Sequence, residues 1–141
     1  MQERVSPPDT VSGSIDGVEL SIAYSQPSVR ERVIWGDLVP YSKIWRAGAN
    51  EATVISFDQD VAINGKGLAK GSYSFFLVPE KGAAWTAIFN SDADQWGAYK
   101  HDPKKDKLRV SCKPEKHEFT EQMTFVIEGE QFYLIWEKLK I

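Results

Sequence analysis

The chain has 141 residues, of which 42% are hydrophobic and 26% are charged. Such proportions exclude a disordered or low-complexity protein and are typical of a single domain that buries its own core. The net charge is −3, from 17 basic and 20 acidic side chains. This near balance gives no reason to expect nucleic acid or an anionic membrane surface as a partner, and no apolar run is long enough for a transmembrane segment.

The first predicted element is a hairpin that follows a polar, flexible arm over residues 1–9. Apolar and polar residues alternate on both sides of Asp16-Gly17, between Thr10 and Tyr24. Asp-Gly favours a type I′ turn, because both central residues of that turn need a positive φ. The sequence therefore predicts a β-hairpin at the start of one domain over residues 10–141.

A long segment without a strand or helix period, residues 25–51, comes next. Pro27 and Pro40 each lack a backbone N–H, so no regular strand ladder runs through either position. Long irregular loops inside compact domains are commonly functional. We expect this first long loop to contribute to any binding site.

Short alternating segments return after the first long loop. Thr53–Phe57 and Val61–Ile63 precede Asn64-Gly65, which is a second type I′ turn sequence. Residues 72–78 are apolar on both faces, as is typical of a central strand that is covered on both sides. A second long polar loop, residues 90–106, separates these strands from three further alternating segments.

About nine short strands with turn sequences between them, and no long helix, predict an all-β protein. We expect a single antiparallel β-sandwich with jelly-roll-like or Greek-key connections. If the chain reverses at every break, including residues 58–60, the two long loops open at one end of the sandwich. Loops at one end commonly carry the binding residues of this architecture. A bulge instead of a reversal at residues 58–60 would place the two loops at opposite ends.

The predicted ligand-binding residues lie in the two long loops: Trp35, Tyr41, Trp45, Arg46, Asn50, Glu51 and Trp96. A guanidinium group and an amide beside aromatic rings suit a small ring-shaped or carboxylate-bearing molecule, or a glycan. A structural role is the alternative, since the five N–H groups of Arg46 could satisfy loop carbonyls or pair with Glu51. The loop tryptophans could likewise plug the end of the sandwich, whereas Trp85 and Trp136 are expected in the core.

No catalytic, metal or cofactor signature is recognisable in the chain. Glu51 with Asp92 or Asp94 could form a carboxylate pair for glycoside hydrolysis, but no spacing supports it. The two histidines lack the paired spacing of metal ligands, and Asp92-x-Asp94 lacks the Gly and the closing Glu of a calcium loop. The single cysteine, Cys112, excludes an intrachain disulfide and is expected to be a small core residue. We therefore expect no metal and no cofactor.

The most distinctive segment is Trp45–Thr53, with the sequence WRAGANEAT. It resembles a bacterial family known as domain of unknown function 2911, and the resemblance extends from about Ser6 to Trp136. The other matching residues are Tyr24–Val29, Gly36, Val39–Tyr41, Ile63–Gly65, Gly71–Tyr73, Trp85, Gln95–Gly97, Asp106 and Arg109. The sequence departs from the family at Glu31, where the resemblance implies a glycine. It also implies an exported protein with a cleaved leader, and it implies no activity, because none is established for the family.

We therefore predict a ligand- or partner-binding module, periplasmic or extracellular in its mature form, rather than an enzyme. Residues 1–8 contain no apolar segment that could serve as a signal peptide. A hydrolase acting on cell-envelope carbohydrate is one alternative, and it would need two carboxyl groups close together in an open cleft. A purely structural protein–protein interaction domain is another, and it would show an exposed apolar patch or sheet edge.

Overall fold

A computed structural model describes residues 6–49, 52–92 and 103–141, which form ten β-strands and one short 3₁₀ turn, Pro103–Lys105. The strands are β1 (Pro8–Ile15), β2 (Val18–Ser25), β3 (Thr53–Phe57), β4 (Val61–Ile63), β5 (Lys66–Leu68), β6 (Gly71–Val78), β7 (Trp85–Asn90), β8 (Asp106–Cys112), β9 (Glu115–Glu128) and β10 (Gln131–Lys140). Every named pair of strands is antiparallel. The predicted all-β class is confirmed, with one strand more than the nine expected.

Two layers make up the sandwich. Among the described residues, six strands form one sheet in the order β1-β2-β3-β6-β7-β8, and β9 and β10 pair as a separate hairpin. Phe125 and Leu134 of this hairpin pack into the same buried cluster as Ile22, Phe75 and Val110 of the sheet. The hairpin therefore forms the second layer, and the core lies between it and the sheet.

The two predicted type I′ turns are both present. Asp16 and Gly17 have φ values of 51° and 79°, and Asn64 and Gly65 have values of 50° and 81°. The register is continuous up to each turn, with Ile15 opposite Val18 and Ile63 opposite Lys66. Local turn chemistry thus sets the position of both hairpins.

Strand β6 occupies the centre of the sheet, as its sequence predicted. Phe75 points into the main core, whereas Phe76 packs in a smaller cluster with Ala52 and Ile88. Phe75 and Phe76 are both buried, which explains why their strand is apolar on both faces.

Strand β1 lies at the edge of the sheet and begins at Pro8, two residues before the predicted start. A sheet edge tolerates a proline, which cannot donate a ladder hydrogen bond.

The first long loop is tied to both layers. Trp45 and Leu77 exchange backbone hydrogen bonds of 2.7 and 2.9 Å, which places the loop beside the end of β6. On the other side, the Val29 N–H donates to the Glu121 carbonyl at 2.9 Å, and the Met123 N–H donates to the Pro27 carbonyl at 2.9 Å. The loop therefore bridges the sheet and the β9–β10 hairpin at one end of the sandwich.

The prediction that the two long loops open at the same end is wrong. Strand β6 is antiparallel to β3, so it runs toward the first loop, and β7 then runs away from it. The second loop leaves β7 after Asn90 and hence follows a strand that points to the opposite end. The physical reason is that residues 58–60 interrupt the strand without reversing it: Phe57 lies opposite Gly71 and Val61 opposite Leu68, so the chain reverses only at Asn64-Gly65 between β3 and β6.

Residues 50, 51 and 93–102 lie outside the described part of the chain. In the described part, no helix is long and apolar enough to cross a membrane.

Candidate functional site

Four of the five tryptophans pack together at the first-loop end of the core. The Trp35 ring lies 5.7 Å from Trp45, 5.1 Å from Trp85 and 5.8 Å from Trp136, in each case edge to face. Trp45 also stacks on Trp136 at 6.1 Å, with an interplanar angle of 18°. Trp85 and Trp136 are core residues, as predicted. Trp45 is 8% exposed, so it contributes to closing this end and offers little surface for a ligand to stack on.

The Tyr41 ring packs against Gly36 within the first long loop. Tyr41 is half-buried, and its ring lies so close to Gly36 that a Cβ there would be 2.8 Å from Tyr41 Cε2. Gly36 also has a φ of 93°, which a residue with a side chain rarely adopts. Glycine is therefore required at position 36 both for the turn and for the close approach of the Tyr41 ring.

Two of the predicted site residues, Arg46 and Trp35, have a buried donor without a partner among the described residues. These donors are the Arg46 Nε and the Trp35 Nε1. Burial lowers the pKa of the Arg46 guanidinium from its ordinary value. The loop carbonyls of Arg46 and Ala47 accept hydrogen bonds from the Thr53 N–H at 3.4 Å and the Thr53 Oγ1 at 2.9 Å instead. Thr53, and not the Arg46 side chain, therefore donates the hydrogen bonds to these two loop carbonyls.

Three of the predicted ligand-binding residues, Asn50, Glu51 and Trp96, lie outside the described residues. A ligand-binding role for the seven loop residues stays a prediction.

A cavity that the sequence did not indicate lies between the six-stranded sheet and the β9–β10 hairpin. Its volume is about 480 Å³. Five phenylalanines from five strands and from both layers contribute to its lining: Phe57, Phe75, Phe89, Phe125 and Phe132. The rings of Phe75 and Phe89 are 5.2 Å apart, and those of Phe75 and Phe132 are 6.4 Å apart. The interior of the cavity is thus aromatic and comes from the core itself.

Exposed residues of three hairpin turns contribute to the lining of this cavity, and we call this part of the lining its mouth. Asp16 of the β1–β2 turn, Asn64 of the β4–β5 turn and Glu130 of the β9–β10 turn all line it, and all three are exposed. Each residue was recognisable in the sequence only as part of a turn. Their convergence depends on how distant strands pack, so no local pattern could have identified the mouth.

The mouth is acidic. In the described part of the chain, the charged side chains that line the cavity are Asp16, Asp60 and Glu130, and no Lys, Arg or His lines it. Asp60 Oδ1 accepts a hydrogen bond of 2.9 Å from the Lys70 N–H. The Asp16 and Glu130 carboxylates accept none from the described residues, so they are available to a ligand.

Cys112 and Tyr133 also line the cavity. Burial raises the pKa of the Cys112 thiol to about 11, so this side chain is a neutral, weakly polar wall residue. The Tyr133 hydroxyl donates to Glu128 Oε2 at 2.6 Å, and this hydrogen bond raises the pKa of Tyr133. No group of three or more His, Cys, Asp or Glu side chains within the described ranges is arranged to hold a metal ion.

The comparison with protein families decides the classification. The model of the family described as "Protein of unknown function (DUF2911)" matches residues 6–141, nearly the whole chain. The chain belongs to the DUF2911 family. No curated protein and no solved structure matches it.

Membership of DUF2911 assigns no activity. Several of the residues on which the resemblance to the family rests have structural roles in this protein. Trp45 and Trp85 are in the core, and Asn64-Gly65 is a hairpin turn. Asp106 accepts hydrogen bonds from Arg109 Nε at 3.0 Å and from Asn90 Nδ2 at 2.8 Å, where β7 and β8 meet. Family membership alone therefore does not indicate the function.

Proposed function

We propose that the protein is a binding module whose ligand is a small, largely apolar molecule held in the cavity between the two layers. The observation that carries this proposal is a space of about 480 Å³ lined by side chains of the core. Protein interiors are packed as densely as organic crystals, and voids much larger than a water molecule are few. Binding sites for small molecules have volumes of about 300–1,000 Å³, and this cavity falls within that range.

The lining favours an apolar ligand over a polar one. Leu20, Leu77 and Val110 add aliphatic surface to the five phenylalanines. Transfer of apolar surface from water into such a space contributes about 25 cal/mol per Å². A sugar in the interior of the cavity, away from the polar residues of the mouth, would leave hydroxyl groups without partners against these apolar walls, and each unpaired polar group carries a cost. The cavity therefore supports a hydrophobic small molecule better than the glycan expected from the loop residues.

A neutral solvatochromic dye, Nile red, tests the proposal by its fluorescence on titration with the protein. Ala87 is buried and lines the cavity, so an Ala87→Phe substitution would fill part of the space. Ala23 is exposed on the outer face of β2, and Ala23→Phe is the matched control. We expect saturable binding that Ala87→Phe weakens about tenfold or more, or about 1.4 kcal/mol, with both variants folded by circular dichroism. Equal binding by both variants, or no saturable binding by the wild type, would contradict the proposal.

A second candidate site is the first long loop, in line with the ligand-binding residues predicted there. The unpartnered Nε of Arg46 supports it, because a buried donor without an acceptor costs about 1–3 kcal/mol. A carboxylate or another acceptor supplied by a ligand would relieve that cost. Isothermal titration with small carboxylates, comparing the wild type with Arg46→Lys, tests this candidate. Binding that is unchanged in Arg46→Lys would exclude a bidentate contact.

A partner-binding role is supported by one surface feature. Val33 and Leu38 are both exposed, and they lie together because the Leu38 N–H donates to the Val33 carbonyl at 3.2 Å. Exposed apolar side chains that occur together can mark a protein contact. Crosslinking of the wild type and a Val33→Ser/Leu38→Ser variant in cell extract tests this role, and the variant should lose a specific crosslinked band.

We also propose that the protein is exported to the periplasm or beyond, because its resemblance to the DUF2911 family implies an exported protein with a cleaved leader. Fractionation of cells that express the natural gene, followed by immunoblotting, tests this proposal. Recovery of the protein with a cytoplasmic marker alone would contradict it.

A further inference from the structure

We propose that the ligand of the cavity has a ring-bearing apolar body and a head group that is positively charged or donates hydrogen bonds. The head would lie at the mouth, near Asp16 and Glu130. This inference rests on the proposed function, since it names the class of ligand for the same cavity.

The arrangement of the phenylalanines supports a ring-bearing body. The interplanar angles between their rings are large. The Phe75 ring is at 75° to Phe125 and at 71° to Phe132, with centroids 6.2 and 6.4 Å apart. Aromatic rings prefer edge-to-face or offset contacts because the ring face is negative and the ring edge is positive. Walls that present both edges and faces complement a flat ring in the cavity more closely than a flexible chain. An aromatic or polycyclic body would gain these contacts.

The charges at the mouth support the choice of head group. Asp16, Asp60 and Glu130 bring three carboxylates to the cavity, and no basic side chain of the described ranges lines it. A fatty acid or another apolar anion would place its own carboxylate among these like charges. An ammonium group would experience the opposite sign, and hydroxyl or amide donors would find acceptors in Asp16 and Glu130. The mouth therefore selects against anions.

No lysine of the described ranges lines the cavity, so none lies among the three carboxylates there. Lys140 Nζ lies 4.3 Å from the centroid of the Tyr133 ring, on which it makes a cation–π contact. Lys66 Nζ donates to the Arg109 carbonyl at 3.4 Å. Both cations have protein partners, whereas the Asp16 and Glu130 carboxylates have none among the described residues.

Three naphthalene compounds that differ only in the head group test the inference by displacement of Nile red: 2-naphthylmethylamine, 2-naphthylmethanol and 2-naphthoate. We expect the amine to bind about tenfold tighter than the carboxylate at low ionic strength, and the difference to shrink in about 0.5 M salt. The alcohol should fall between them. An Asp16→Asn/Glu130→Gln variant should abolish the difference between amine and carboxylate and leave the affinity of the alcohol within about twofold.

A Glu115→Gln/Glu118→Gln variant is the matched control, because it removes the same formal charge from exposed positions on β9. This control should keep the preference for the amine. If the carboxylate binds as tightly as the amine, or if none of the three compounds displaces the dye, the inference is overturned while the apolar cavity stands. If Nile red itself does not bind, the proposed function fails and the inference fails with it.

Discussion

Tyr24 and Phe125 join the two layers of the sandwich through both a hydrogen bond and a ring contact. The Phe125 N–H donates to the Tyr24 Oη at 3.0 Å, and the two rings meet edge to face with centroids 4.8 Å apart. Tyr24 belongs to the six-stranded sheet and Phe125 to the hairpin that covers it. The Tyr24 side chain therefore helps to hold the β9–β10 hairpin against the sheet, and the cavity lies between these two layers.

Removing the Tyr24 hydroxyl should destabilise the protein. Tyr24→Phe would leave the buried Phe125 N–H without an acceptor, at a cost of about 1–3 kcal/mol in the free energy of unfolding. Urea denaturation measures this cost. Tyr133→Phe is the control, since its hydroxyl bonds an exposed carboxylate and its loss should cost less than about 0.5 kcal/mol. Equal effects of the two substitutions would contradict a structural role for the hydroxyl of Tyr24.

The turn at Glu31 should become more stable when the residue is changed to glycine. Glu31 is exposed and has a φ of 58°, in the left-handed region that costs a residue with a side chain about 1–2 kcal/mol. Because glycine also loses more backbone entropy on folding, about 0.5–1 kcal/mol, the expected net gain for Glu31→Gly is below about 1.5 kcal/mol. Thermal unfolding measures it. Lys43→Gly, at an exposed loop position that has no positive φ, should lower the melting temperature instead.

Cys112 should react slowly with thiol reagents below about pH 10. A thiol with a pKa of about 11 is neutral at lower pH, so about one in a thousand is the reactive thiolate near pH 8. The rate of alkylation by iodoacetamide should rise about tenfold per pH unit between about pH 8 and 10. A free thiol such as glutathione is the control, and its rate should level off near its own lower pKa. A rate for Cys112 that levels off with the control would contradict the burial of this side chain.

Arg46 should contribute little to stability, because its guanidinium has no protein partner among the described residues. We expect neither Arg46→Ala nor Arg46→Lys to lower the free energy of unfolding by more than about 1 kcal/mol, and Arg46→Ala also removes the buried Nε that has no acceptor. Thermal unfolding of the two variants is the measurement. A loss of several kcal/mol in both would make Arg46 a scaffold residue and would remove the support for a ligand at the first loop.

Much of the fold followed from local sequence. Asp16-Gly17 and Asn64-Gly65 specify their turns because the required φ values restrict which residues fit. The two-sided burial of β6 followed from its continuous apolar run. Strand β5 was missed because Lys66–Leu68 has three residues, two of them exposed, and shows no alternation. The wrong prediction for the second long loop has another cause, since residues 58–60 connect β3 to β4 without the reversal that was expected there.

The candidate sites were harder to predict than the fold. Trp45 and Trp35 looked like a ligand platform because their segment has no period, yet Trp85 and Trp136, far along the chain, surround them. The cavity combines Asp16, Asn64 and Glu130 from three separate turns. Such sites depend on the packing of distant elements, which a local pattern does not contain.

Titration of ¹⁵N-labelled protein with 2-naphthylmethanol, followed by NMR, tests directly whether the cavity binds a ligand. Binding in the cavity predicts saturable shifts of the amide signals of cavity residues such as Ala87 and Phe132, with the signals of Ala23 and Arg46 unchanged. Shifts confined to the first long loop around Arg46, or no saturable shifts, would contradict the claim that the cavity between the two layers is the binding site.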